Sequence, residues 1–307
     1  MLNVARVHRF QWSLVVAAAC WGGATVISKR AVEEIEPLTL LPLELTVSVA
    51  VLAFAMAMRR ERVRWSPEMR RLSALGVLNP GLAYALSLAG LERVDASVSV
   101  LLWALEPVLI LGIAVVVLRE RVPRPVALCA GAALAGVVLV VFQPDHASAA
   151  GVTLTIAGVA ACAVYTVLSS RYLVEATTVS VVFVQQVTAL LFALALLAGS
   201  LVLSDPASVA GVSATAWASA VAAGALYYGV AFWFYLAGLR SVTASAAGVF
   251  INLVPVFGIT ASYIVLGERL SRRQWVGAIV VIAAVAASTL YVGRPASAEH
   301  RPQRVRA

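Results

Sequence analysis

Charge is scarce in this chain. Only 12% of its 307 residues are Asp, Glu, Lys or Arg, where a soluble domain carries roughly 25%. A soluble protein of this length has no means of covering its surface with so few charges, so water is excluded as the main solvent and lipid remains. Lysine is nearly missing: Lys29 is the sole one, and the rest of the basic charge is Arg. Cysteine is limited to Cys20, Cys129 and Cys162, all inside apolar runs. An odd number without metal-like spacing excludes a disulfide framework, and the three read as small apolar helix residues. Histidine is limited to His8, His146 and His300, in tails or a loop. No catalytic constellation, Walker motif or i, i+4 pair of acidic residues appears, so no catalytic residue, metal, cofactor or direct ATP drive is expected. The net charge of +8 does not imply nucleic acid, because the arginines flank apolar runs rather than forming a basic domain.

What is present is apolar length. The chain is 62% hydrophobic with mean hydropathy +0.93. Runs of about 20 residues, the length that crosses a bilayer, fall near 12–30, 38–58, 71–91, 96–118, 124–142, 149–170, 179–203, 214–238, 243–266 and 273–292. The run from Trp12 follows Arg6 and Arg9 in the manner of a signal peptide, but no small-residue cleavage site follows and it reads as the first membrane helix. Residues 1–11 and 293–307 form exposed cytoplasmic ends. With the N-terminus inside, 17 basic residues lie on the cytoplasmic side and 6 outside, which places both termini in the cytoplasm. The connection carrying Arg269, Arg272 and Arg273 opposes that bias.

Self-similarity explains the exception. Shifted by 148 residues, Ala89–Arg124 aligns with Ala237–Arg272 without a gap. Pro107 meets Pro255, Glu120 meets Glu268, and Arg121 meets Arg269. From Gly76 and Gly224 onward about 19 of 49 positions are identical. Earlier helices match more weakly: Cys20 with Cys162, Ser28 with Ser170 and Glu44 with Gln185, at an offset near 142. The chain therefore reads as two five-helix repeats, 12–142 and 149–292. Five is odd, so the copies lie in opposite orientation, as in secondary transporters that work by alternating access. The expected fold is all-α, integral to the membrane, with ten transmembrane helices in two inverted five-helix repeats.

Several short motifs carry a further likeness. They are Trp21-Gly22 in the first helix, Pro37-Leu38-Thr39 opening the second, and Glu106-Pro107-Val108 in the fourth. Asn252 to Val256 lies in the ninth helix and Leu266 to Arg269 follows it. In order and spacing the chain resembles the EamA-like ten-helix members of the drug/metabolite transporter superfamily. The resemblance implies a polar-lined central cavity and movement of amino acids, other metabolites or drugs. Many relatives have an arginine in the second helix where this chain has Glu44, so a substrate rule resting on that arginine does not carry over.

Deep polar residues are the functional candidates. A carboxylate at a helix centre costs about 2.5–3.5 kcal/mol on insertion scales. Glu106, near the midplane, is the proton-coupling candidate; its other reading is a neutral side chain bonded to backbone opened by Pro107. Glu44, Gln185 and Asn252 are candidates for lining the substrate cavity; for Gln185, Gln186 and Asn252 the other reading is a hydrogen bond between helices. Trp21, Tyr84, Trp103, Tyr228 and Trp233 are candidate cavity walls or packing residues. Trp12, Trp217 and Trp275 read as interface anchors. Pro107 and Pro255 are hinge candidates. The Glu120-Arg121 and Glu268-Arg269 pairs read as helix caps.

Together these readings describe a secondary carrier in a bacterial cytoplasmic membrane, suggested by the arginine-for-lysine skew of a GC-rich genome. It exports a small polar metabolite such as an amino acid, with proton coupling as an option. Its partners are a small-molecule substrate and membrane lipid, not nucleic acid, and it is a monomer or homodimer. The alternatives are a multidrug or nucleotide-sugar-type carrier, a lipid flippase, or an intramembrane enzyme.

Overall fold

The computed structural model describes residues 4–118, 123–141, 148–169, 172, 176–203, 211–239, 250 and 252–292. No strand occurs among them. Helix α1 spans Val4–Val32 and α2 Pro37–Met58; α3 runs over Pro67–Leu91. A broken pair follows, α4 (Ala96–Trp103) and α5 (Glu106–Leu118), and then α6 (Arg124–Val141). The second half comprises α7 (Ala149–Ser169), α8 (Thr178–Leu203), α9 (residues 214–239), α10 (Val254–Leu266) and α11 (Arg272–Val292).

Among the described residues, seven stretches are long and apolar enough to cross a membrane: Trp12–Val32, Pro37–Met58, Pro67–Leu91, Ala96–Ile113, Ala149–Ser169, Val179–Leu203 and Ala214–Tyr235. The expected fifth and ninth spans appear as the shorter apolar helices Arg124–Val140 and Val254–Leu266. Residues 240–249, the first part of the expected ninth span, lie outside the described residues. The third helix begins at Pro67 rather than 71, because Ser66 accepts a hydrogen bond from the Met69 amide at 3.0 Å and proline takes the first turn. Side chains such as Val202 and Leu203, both 85% exposed, belong against lipid tails, and the chain is an integral membrane protein.

Several packing pairs recur when the two halves are exchanged. α1 lies along α9 and α10, and α7 lies along α3 and α5. α2 packs on its repeat mate α8, and α6 packs on its mate α11. Glycines fix the closest crossings. The backbone of Gly224 lies against Glu44, and that of Gly76 against Gln185. Seven residues further along α2 and α8, and five along α9 and α3, Gly229 lies against Val51 and Gly81 against Phe192. Glu44 and Gln185 were paired by the sequence offset, so the duplication is preserved in the contacts themselves. Without a hydrophobic drive between helices in lipid, such small-residue contacts are what bring helices together.

Both halves also interrupt their third helix at matching places, with π-helical turns at Leu78–Leu82 and Ala225–Val230. Turns at residues 104–105 and 252–253 precede α5 and α10, so each break stands just before the repeat-related Pro107 or Pro255. Proline lacks an amide donor and disfavours helix in the residue before it, which accounts for breaks at these sites.

Candidate functional site

Helices of both halves, with the π-helical turn of α9, line one small cavity. α1 contributes Thr25 and Ser28, α2 contributes Glu44, and α3 contributes Tyr84 and Ser87. α4 adds Ser99 and Trp103, and the π-helical turn of α9 adds Tyr227 and Tyr228. The side chains arrive by helical spacing: 21, 25 and 28 share one face of α1, as do 84, 87 and 91 of α3. The cavity measures about 20 Å³, room for one water molecule or a group of that size.

Glu44 is 1% exposed, and its Oε1 accepts a 2.7 Å hydrogen bond from Ser28 Oγ. Tyr84 is the hub of the aromatic wall. Its ring lies 5.4 Å from Trp103, 5.3 Å from Tyr227 and 5.1 Å from Tyr228, between centroids. Tyr227 and Tyr228 are themselves 5.1 Å apart. These are ordinary separations for edge-to-face and tilted pairs. Trp21 stands behind this wall: its Nε1 donates to the Tyr227 carbonyl at 3.0 Å and its ring meets Phe232 and Tyr235. Ser87 is 6% exposed, and its Oγ has no hydrogen-bond partner.

Other candidates stand apart from the cavity. Gln185 is buried, accepting from Tyr165 Oη at 2.9 Å and donating to the Leu72 carbonyl at 3.1 Å. Gln186 is bonded to Ser48 between α2 and α8. Trp233 is 42% exposed, with the Arg59 guanidinium 4.4 Å from its ring centroid. Asn252 is half-buried in the turn before α10. Glu106 opens α5, and its Oε1 accepts from Cys162 Sγ at 3.4 Å and Thr166 Oγ1 at 3.3 Å, both on α7. Cys162 is thus more than the small apolar filler expected of it. Among the interface anchors, Trp12 and Trp275 are exposed, while Trp217 is half-buried against the core.

One end of the bundle is tied together by polar contacts. Glu34, in the loop after α1, accepts from the Ser213 amide and Ser213 Oγ, both at 2.7 Å. These two bonds, the amide first, hold the Glu34 carboxyl below its ordinary value, so the tie is intact at neutral pH. Lys29 Nζ donates to the Leu91 carbonyl at 2.8 Å. Glu268 receives the Ala96 amide at 2.8 Å and the Ser97 amide at 2.9 Å, capping α4 with a negative charge at its positive end. Its repeat mate Glu120, and Arg121, lie outside the described residues. At the other end, Thr177 Oγ1 donates to Glu61 Oε2 at 2.5 Å.

Sequence reasoning missed Thr25, Ser28, Ser87 and Ser99. Their signal was their register: each lies three or four residues from a Trp, Tyr, Ser or Thr lining the same cavity.

Residues 11–142 and 149–290 each match the EamA-like transporter family. An "uncharacterized transporter" of Archaeoglobus fulgidus is 24% identical over 276 residues, covering 88% of this chain and 94% of its own. The "uncharacterized transporter YyaM" of Bacillus subtilis is 27% identical over 218 residues, covering 69% of this chain and 70% of its own. A solved crystal structure of 17% identity superposes with a TM-score of 0.62 over 94% of this chain and 98% of the other, a likeness of fold.

Proposed function

This chain belongs to the EamA-like transporter family, and from that premise we propose that it is a secondary carrier moving a small polar metabolite by alternating access. It has ten spans in two inverted repeats, both termini in the cytoplasm of a bacterium, and it works as an exporter. Glu106 carries the coupling proton.

The observation that carries the reading is the pairing of the tied end. In the first half this end holds the close of the third helix and the start of the fourth, at Leu91 and Ala96. In the second half it holds the start of the third and the close of the fourth, at Ser213 and Glu268. This pairing supports the reading that the halves run in opposite directions. Two similar units in opposite orientation can exchange conformations and expose one cavity to either side. At the other end the Thr177–Glu61 bond joins the loop between the first and second helices of the second half to the loop between the second and third helices of the first, the counterpart of Glu34–Ser213 with the halves exchanged. The charge rule makes the tied end external.

Counterflow in proteoliposomes tests the reading. Vesicles are loaded with an unlabelled metabolite or amine from a panel, and labelled solute is added outside at trace level. A carrier gives a transient accumulation of label above equilibrium for at least one solute. Steady leak without overshoot identifies a channel instead, and lipid scrambling without solute exchange identifies a flippase; either result overturns the proposal.

A further inference from the structure

Glu44 lies in the cavity without a basic side chain among the described residues that line it. Lys29, the residue after Ser28, is engaged with the carbonyl oxygens of Leu91 and Glu92. A carboxylate so placed has a high desolvation cost that a fold alone does not demand. The duplicated half shows this directly. At the position related to Glu44 stands Gln185, whose amide and carbonyl are both satisfied by neighbouring protein groups. Packing of α2 and α8 against their glycine partners is the same on both sides. The acid is therefore in excess of what packing needs, and of the two repeat mates only Glu44 lines the cavity.

Three further features define what complements it. Tyr84, Trp103, Tyr227 and Tyr228 offer ring surfaces whose negative faces attract a cation. Ser87 Oγ is buried and unpartnered, a free acceptor at the same cavity. The volume of about 20 Å³ fits a group the size of water.

We infer that the cavity is the seat of a primary ammonium group, and that the transported solute is an organic amine without a carboxylate. This rests on the carrier reading and narrows its substrate. The three N–H donors of an ammonium group meet the Glu44 carboxylate and the Ser87 hydroxyl, and the rings face the charge. A zwitterionic amino acid would bring a second carboxylate beside Glu44 with no cation among the described lining residues to receive it. A quaternary ammonium is too large for the space and donates no hydrogen bond.

The test is calorimetric titration of the full chain in lipid nanodiscs with butylammonium, tetramethylammonium, butyrate and 4-aminobutyrate at constant ionic strength. Butylammonium is expected to bind saturably and at least roughly tenfold tighter than the other three. Glu44→Gln is expected to remove detectable binding. Ser87→Ala, which removes no hydrogen bond within the protein, is expected to weaken binding by roughly fivefold to tenfold, and it carries the test if the Glu44 variant does not fold. Equal binding of butyrate or 4-aminobutyrate, or butylammonium binding untouched by Ser87→Ala, overturns the inference. Counterflow of other solutes without butylammonium binding sinks the amine site and leaves the carrier standing. Amine binding without exchange of any solute does the reverse.

Discussion

Replacing Gly224 with valine is expected to lower the melting temperature by several degrees and to abolish solute exchange. A Cβ at Gly224 would sit 2.6 Å from the carbonyl oxygen of Glu44 and 2.9 Å from its Cα, well inside contact distance. Backbone stands on the other side, so no side chain can swing away. α2 and α9 must move apart, at a cost of about 1–3 kcal/mol for overpacking, which is about 2–4 °C per kcal/mol in a chain of this size class. The same movement withdraws Glu44 from the aromatic wall, so activity falls further than stability. Gly199→Ala is the comparison. Nothing lies within 4 Å of a Cβ there, and alanine is the better helix former, so its melting temperature is expected to hold or rise. Thermal unfolding in detergent beside exchange in vesicles reads both effects. A Gly224→Val protein that melts and transports like the parent contradicts the close crossing.

Changing Glu106 to Gln is expected to abolish substrate-driven proton movement while leaving exchange of solute at equal concentrations across the membrane. Glu106 is the first residue after the break at 104–105, and its carboxyl bridges α5 to Cys162 and Thr166 on α7. The bridge joins a segment beside a proline to the first helix of the other half. Loading or unloading a proton there alters which side is donor and which acceptor, coupling protonation to how the halves meet. Glutamine keeps the shape and one acceptor but carries no titrating proton. Vesicles holding a pH dye, given solute from outside, make the measurement. A proton signal of normal size from Glu106→Gln assigns the carboxyl to holding the broken helix alone.

Much of this architecture could be read from composition and repetition. Few charges and long apolar runs fixed the solvent, and the 148-residue offset located the paired breaks before Pro107 and Pro255. Glu44 and Gln185 were correctly matched as repeat mates, and Glu268 was correctly read as a cap. What the residues did not announce was their divergence. Glu44 faces a cavity among aromatic rings, while Gln185 is consumed by Tyr165 and Leu72. A local sequence carries polarity and depth but not which neighbour arrives from 100 or more residues away. Trp233 looked deep in its run yet lies outward beneath Arg59, because α9 contains a π-helical turn that shifts the register of everything after it. The serines were overlooked for a related reason: a hydroxyl in a membrane helix usually bonds its own backbone, as Thr25 does to Trp21, and only three-dimensional convergence marks a site.

The most direct test of alternating access is a lock on the tied end. Glu34 and Ser213 are replaced with cysteine in a chain whose Cys20, Cys129 and Cys162 have been changed to alanine. The two positions touch through 2.7 Å hydrogen bonds, so oxidation or a short bis-thiol reagent can join them. Solute counterflow is then measured before bridging, after bridging and after reduction. The account predicts that bridging stops exchange and that reduction restores it, because the two halves must part at this end in every cycle. Exchange that continues at the parent rate with the bridge in place would contradict it.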